Sequence, residues 1–188
     1  DISVFSFHPV KIITTGEGGC ITTNNKEYFE YMKMFRENGV QKNSKKFKHK
    51  SPGPWYYEQQ TIGYNFRMND IQAALGISQL KKIKNFVQKR NKIASIYKKN
   101  LIGLPFTFQK INKEFLSSYH LFIIRINEDK KKIYKSLFLF LRNKNIYVNL
   151  HYLPVHLHPY YKNLGFHKNQ FVNSELYSST SLSIPIYP

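Results

Sequence analysis

The chain has one cysteine, Cys20, among 188 residues. An internal disulfide framework is therefore excluded, and the redox setting that fits is a reducing one, the cytoplasm. A lone cysteine beside several histidines could suggest a thiol nucleophile, but a small buried Cys is the commoner case. Acidic residues are scarce, 11 against 29 Lys and Arg, which leaves a net charge of +18. Arginine is scarce within that basic set, because 24 of the 29 cations are Lys. Base-edge and phosphate forks favour Arg. The lysines are also scattered through KKFKHK (45–50), KKIK (81–84) and DKKKIYK (129–135). This pattern reads as solvated, compositionally driven charge and argues against nucleic-acid binding. Long apolar runs are absent too. LFLFL at 137–141 falls far short of the ~20 residues that span a bilayer.

What is abundant points to a packed protein. Hydrophobic residues make up 41% and aromatics 16% of the chain, enough for a core and too many for disorder. Val, Ile, Phe and Thr predict β segments at 3–7 and 10–15, separated from an extended CITT (20–23) by the turn at Gly16, Gly18 and Gly19. Asn24 or Asn25 caps a helix that Asn38-Gly39 ends. The Pro- and Gly-rich stretch SPGPW lies in a polar loop over 40–60. Asn69 or Asp70 opens a long helix, its apolar residues running from Ile71 through Leu75, Leu80, Ile83, Phe86 and Ile93 to Tyr97. A strand at 120–126, a helix at about 129–144 and a strand at 146–150 follow. Then come an irregular HYLPVHLHPYY and an extended SLSIPIY. No internal repeat is present. The fold class is α/β, with residues 89–188 forming a small α/β lobe.

One lysine differs from the others. Lys11 lies in FSFHPVKIITTGEGG (5–19), between β-type segments and behind Pro9, whose fixed φ stiffens the approach. A lysine amine held on rigid structure is suited to condensing with an aldehyde, the chemistry by which pyridoxal phosphate is carried. Ser6, five residues earlier, offers a hydroxyl to a phosphate. Read from these residues alone, a strand-end lysine reaching for solvent remains the alternative.

The string as a whole resembles the cofactor-lysine motif of the DegT/DnrJ-type sugar aminotransferases, a branch of the aspartate-aminotransferase fold. The resemblance continues through IGYNFRMNDIQAALGISQLKKI (62–83), SSYHLFIIRI (117–126) and VNLHYLPVHLHPYYKNLGF (148–166). FSFHPVK, WYYE (55–58) and HYLPVHLHPYY are most similar to the members that serve pseudaminic acid biosynthesis. The resemblance implies a PLP-dependent aminotransferase taking an amino group from glutamate to C4 of a UDP-linked 4-keto-6-deoxy-N-acetylhexosamine. Other nucleotide-linked keto sugars, and an inactive fragment or basic binding module, are the alternatives. A sugar dehydratase of the same cofactor class is disfavoured, because such relatives can replace the lysine with histidine.

By matched position, Lys11 is the residue that joins the cofactor and moves the substrate proton. Ser6 matches the phosphate-binding serine, and Asn65 the asparagine that a partner subunit brings to that phosphate. A homodimer with a shared active site is implied. Asn149, Leu150, His151 and Tyr152 match the substrate-contacting segment, and their side chains suit a sugar. His8 and Glu17 are candidate substrate contacts, with packing and turn-capping roles as alternatives. Arg67 is left between site and loop. His151, His156 and His158 do not make a convincing zinc set, and no metal is expected. The family aspartate that pairs with the pyridinium nitrogen has no counterpart, nor does the closing helix. The expected layout is the C-terminal part of the large PLP-binding domain over 1–88 and the small domain, short of its last segment, over 89–188. Such a chain is expected not to turn over alone.

Overall fold

A computed structural model describes residues 1–188. The chain forms two compact units, Asp1–Ile83 and Lys84–Pro188.

The first unit opens with an antiparallel hairpin. Strand β1 (Ile2–Ser6) pairs with β2 (Gly19–Thr23), in register from Ile2 opposite Thr23 to Ser6 opposite Gly19. The strand expected over 10–15 does not form. Pro9 offers no N–H to a ladder, and the Thr14 and Thr15 hydroxyls bond to the carbonyls of Phe7 and Glu17. Local side-chain bonding of this kind competes with strand pairing. Helix α1 (Lys26–Arg36) is capped by Asn25, whose side chain accepts the Tyr28 N–H. Its C-terminus turns through Asn38 (φ 62°) and Gly39 (φ 72°), a left-handed exit that glycine makes at low cost. Strands β3 (Val40–Gln41) and β4 (Glu58–Gln59) form a two-residue antiparallel ladder inside the region expected to be loop. Helix α2 (Asp70–Lys81) starts at a reciprocal capping box between Asn69 and Gln72. This unit has almost no buried apolar side chain. Val4 is 74% exposed and Ile71 83%, and every residue of β1 is exposed.

The expected single helix over about 69–100 is two helices. At Lys82 the N–H bonds to the carbonyls of Gln79 and Leu80, tightening the last turn, and α3 (Ile83–Asn100) begins after it. No proline or glycine marks that point.

The second unit is built on a three-stranded antiparallel sheet in the order β5 (Phe106–Phe108), β6 (Phe122–Ile126), β7 (Ser181–Ile184). Phe122, Ile124 and Ile126 alternate inward along β6 and are 2%, 3% and 0% exposed, the period-2 pattern of a half-buried strand. With Ala94 of α3, Tyr119, Val148, Leu182 and Ile186 they supply the buried apolar core. A 3-10 turn at 128–133 leads into α4 (Tyr134–Asn143), and α5 (Pro159–Asn163) follows. Helix α6 (Val172–Thr180) runs directly into β7. The strand expected over 146–150 is reduced to one bridge, Asn149 with Ser183. Ile146 N–H is turned back to Leu141 O, and Asn145 stands at φ 58°, so only the end of that segment reaches the sheet. β5 and α6 have no recognisable periodic signal in the sequence.

Candidate active site

Lys11 sits in the loop that joins β1 to β2, and that loop is pinned at both ends. Phe7 N–H donates to Gly18 O at 2.8 Å. Phe7 O accepts from Thr15 N–H at 3.0 Å and from the Thr14 hydroxyl at 2.9 Å. Thr15 is 3% exposed, and its hydroxyl donates to Glu17 O at 2.7 Å. A Cβ on Gly18 would collide with the Thr15 hydroxyl, so the return strand passes close by because residue 18 has no side chain. Inside these pins the Lys11 N–H closes a turn onto His8 O at 2.9 Å.

The pinned turn holds Lys11 half-buried. No carboxylate or carbonyl engages its ammonium. Ser6 Oγ, at the end of β1, receives the His8 N–H at 3.4 Å and keeps its own proton free to donate. His8 and Glu17 come together across the loop, with Nε2 and Oε1 3.8 Å apart. His8 Nδ1 faces the Val10 N–H at 3.4 Å. Ser6, His8, Lys11 and Glu17 thus share one short hairpin loop. An amine on a braced turn beside a hydroxyl donor fits an aldehyde carrying a phosphate: Lys11 would hold the aldehyde carbon and Ser6 a phosphate oxygen.

Asn65 lies elsewhere in the first unit and makes no hydrogen bond to Ser6 or Lys11. Its segment runs along the end of α1: Tyr64 N–H bonds to Phe35 O and Phe66 N–H to Arg36 O, satisfying carbonyls a helix end leaves open. Tyr64 and Phe66 stack at 4.8 Å, and alternation sends Asn65 to the opposite side from those rings. Arg67 lines an open polar cleft with Glu37, Asn38, Val40, Lys42 and Tyr57.

The other candidate residues lie in the second unit. Asn149 is locked to β7 by backbone bonds in both directions with Ser183, and Ser183 Oγ also donates to Asn149 O. Its side-chain carbonyl accepts from Arg142 Nη2 at 2.9 Å. Val148, 0% exposed, anchors the segment in the core. Leu150 is half-buried. Burial lowers the His151 imidazole below its ordinary value, which favours the neutral ring. That ring meets Tyr152 edge-on at 4.6 Å, and Tyr152 is 73% exposed. His156 turns inward instead. Its Nε2 lies 3.0 Å from Glu175 Oε1, and its ring meets Phe171 at 4.9 Å. No three His, Cys, Asp or Glu side chains are grouped to hold a metal ion.

Several of these partners have no sequence signal. The residue pattern assigns Thr14 and Thr15 to a strand, and Arg142 and Glu175 look like ordinary polar positions. Asn65, His8 and Glu17 are legible as residue types in a motif, but the His8–Glu17 approach is not.

The model of the DegT/DnrJ/EryC1/StrS aminotransferase family matches residues 1–188. The chain belongs to that family. Over its whole length it is 42% identical to the uncharacterised protein MJ1066 of Methanocaldococcus jannaschii, covering 49% of that protein. It is 36% identical to the UDP-4-amino-4,6-dideoxy-N-acetyl-beta-L-altrosamine transaminase of Campylobacter jejuni, of which it covers 47%. Helicobacter pylori PseC, an aminotransferase involved in the biosynthesis of pseudoaminic acid, superposes with a TM-score of 0.84 at 34% identity, over 99% of this chain and 48% of PseC. The PLP-form of Spr1654 of Streptococcus pneumoniae superposes with a TM-score of 0.85 at 27% identity, over 100% of this chain and 47% of that one. The chain spans about half the length of the relatives it matches. Its α/β architecture is accordingly part of the fold of PLP-dependent aminotransferases. No helix is long and apolar enough to cross a membrane.

Proposed function

We propose that residues 1–188 belong to a PLP-dependent nucleotide-sugar aminotransferase. The substrate is a UDP-linked 4-keto-6-deoxy-N-acetylhexosamine aminated at C4, and glutamate is the amino donor. The single observation that carries this reading is Lys11, an ammonium with no partner on a turn pinned at Phe7 by three hydrogen bonds. Likeness to the pseudaminic acid enzymes narrows the sugar.

Pyridoxal phosphate, when bound, supplies the electron sink that lets an amino group pass between two carbon skeletons. Lys11 would hold the cofactor, and its side-chain amine would carry the proton at the reacting carbon. The braced turn limits how far that amine strays, which is the positional control proton transfer needs. Ser6 donates its hydroxyl proton to a phosphate oxygen. Asn65 serves the phosphate of a second subunit, so the active unit is a homodimer. The segment Asn149-Leu150-His151-Tyr152 receives the sugar through an amide, a neutral imidazole and an exposed ring. His8 and Glu17 border the sugar beside the lysine. In this reading residues 1–88 are the C-terminal part of the large domain and 89–188 the small domain. The exposed apolar faces of β1 and α2 support further polypeptide covering the first unit, since patches of this kind are rarely left to solvent.

The test is a visible spectrum of the chain with pyridoxal phosphate, beside Lys11→Ala. Borohydride reduction and peptide mass mapping of the labelled lysine accompany it. A band that the variant lacks, that bleaches with glutamate and whose label maps to Lys11, supports the reading. If no band forms, the upstream coding region is included and the measurement repeated. Failure there too overturns the reading. Nucleotide-linked 4-keto sugars compared side by side then decide the acceptor.

A further inference from the structure

Asn149 owes its side-chain orientation to Arg142. The guanidinium carbon lies 5.3 Å from the Phe138 ring centroid and 5.2 Å from that of Tyr147. Arg142 Nη2 donates to Asn149 Oδ1 at 2.9 Å. Arg142 Nε is buried with no hydrogen-bond partner, so the group is gripped by rings rather than by a carboxylate. Both ends of the arrangement are built into the fold. Arg142 closes α4. The turn at Asn145 brings Tyr147 and Asn149 back on the same side, with Val148 buried between them.

A guanidinium has donors only. The amide oxygen of Asn149 must therefore face Arg142, and Nδ2 faces away. That nitrogen has no partner within the protein, and Asn149 is exposed. The backbone of Asn149 cannot swing to change this, because Ser183 holds it on both sides. We infer that Arg142 is a positioning residue for sugar recognition: it makes Asn149 an obligate hydrogen-bond donor, selecting an acceptor oxygen on the sugar. This rests on the proposed role of Asn149 in binding the nucleotide sugar. A free asparagine would offer either end of its amide and discriminate less.

The test compares Asn149→Ala, Asn149→Asp, Arg142→Gln and the Arg142→Gln/Asn149→Ala pair in the preparation that transaminates. A lost neutral hydrogen bond raises the KM for the keto sugar about tenfold in Asn149→Ala. Asn149→Asp does at least as much harm, since Arg142 still holds one oxygen and the outward atom becomes an acceptor. Arg142→Gln raises that KM roughly threefold to fivefold, because Gln can donate or accept and the amide is freed to turn. Each rise is larger in KM for the sugar than in kcat. The double variant is no worse than Asn149→Ala. A second readout needs no turnover: the Asn149 side-chain carbonyl carbon and amide nitrogen resonances shift in Arg142→Gln. If Asn149→Ala leaves the sugar KM unchanged, or no preparation transaminates, the proposed function of the segment fails and this inference with it. If Asn149→Ala weakens the sugar but Arg142→Gln does not, or the two losses multiply, or the Asn149 resonances stay in place, the positioning role of Arg142 alone is overturned.

Discussion

Thr15 stands so close to Gly76 of α2 that a Cβ on the glycine would lie 2.8 Å from the Thr15 methyl. Thr15 also ties the lysine loop to Phe7 and Glu17. The loop that carries Lys11 is therefore seated on α2 through one buried threonine, and the helix is glycine where the two meet.

Gly76→Ala sets two effects against each other. Alanine favours the helix by up to ~1 kcal/mol, while overpacking a buried contact costs ~1–3 kcal/mol. The packing term wins, and the variant loses about 1–2 kcal/mol in urea unfolding. Thr15→Ser removes the methyl in question. Adding it to Gly76→Ala restores most of the loss, and no restoration means the contact does not set the helix-to-loop distance.

Glu58 organises the loop over 42–57. Burial pushes its carboxyl up, but hydrogen bonds from Lys48 N–H, the Gln60 side chain, His49 N–H and the Tyr56 hydroxyl outweigh that and bring it down to about 2. With a folded value below the unfolded one, its contribution to stability is full above the ordinary carboxylate range. It is lost as pH falls from about 4.5 towards about 2. The protection factors of the Lys48 and His49 amides, exchange rates taken relative to the intrinsic rate at each pH, fall over that window in the wild type. In Glu58→Gln these protection factors are already low at pH 7 and flat across the window.

The His156–Glu175 pair ties the turn at 155–157 to α6. Glu175 is lowered chiefly by the His156 hydrogen bond; burial opposes this, and Asn169 N–H adds to it at 2.7 Å. Its stabilising effect is therefore present at neutral pH and fades as acid protonates the carboxyl. Glu175→Ala strands a buried imidazole and frees the Asn169 amide. Its melting temperature falls further than that of Ser174→Ala, a surface change on the same helix. Proteolysis begins between 158 and 171. Equal melting of the two variants sinks the claim.

Leu182, 0% exposed on β7, packs in the core beside the strand residue that holds Asn149. Leu182→Ala costs about 3 kcal/mol through lost burial and a residual cavity. The two-dimensional NMR signals of the Asn149–Ser183 bridge broaden with it. A loss under ~1 kcal/mol would mean that the site can collapse, and that the sheet does not fix the segment's position.

How much of this is legible in the sequence depends on the range of the interaction involved. Asn25 and Asn69 are among the residues that read as caps, because a cap bonds to an amide two or three residues on. Asn38-Gly39 is readable as a helix end for the same reason. The alternation of β6 is readable because one face of a strand meets the core. Residues 10–15 depart from the expected strand, because β-branched composition says nothing of hydroxyls diverted to Phe7 and Glu17. Residues 146–150 depart from theirs because a turn at Asn145 leaves only Asn149 in reach of Ser183.

By itself the sequence determined the family, the singular setting of Lys11, and most helix boundaries that rest on local capping. Only the tertiary structure decided that Thr15 seats the lysine loop on Gly76, that His8 faces Glu17, and that Arg142 orients Asn149. Capping is settled within a turn of chain and leaves a spacing that can be read. These contacts are settled by how loops and elements pack, where a methyl group or the direction of one amide decides the outcome and no periodicity records it.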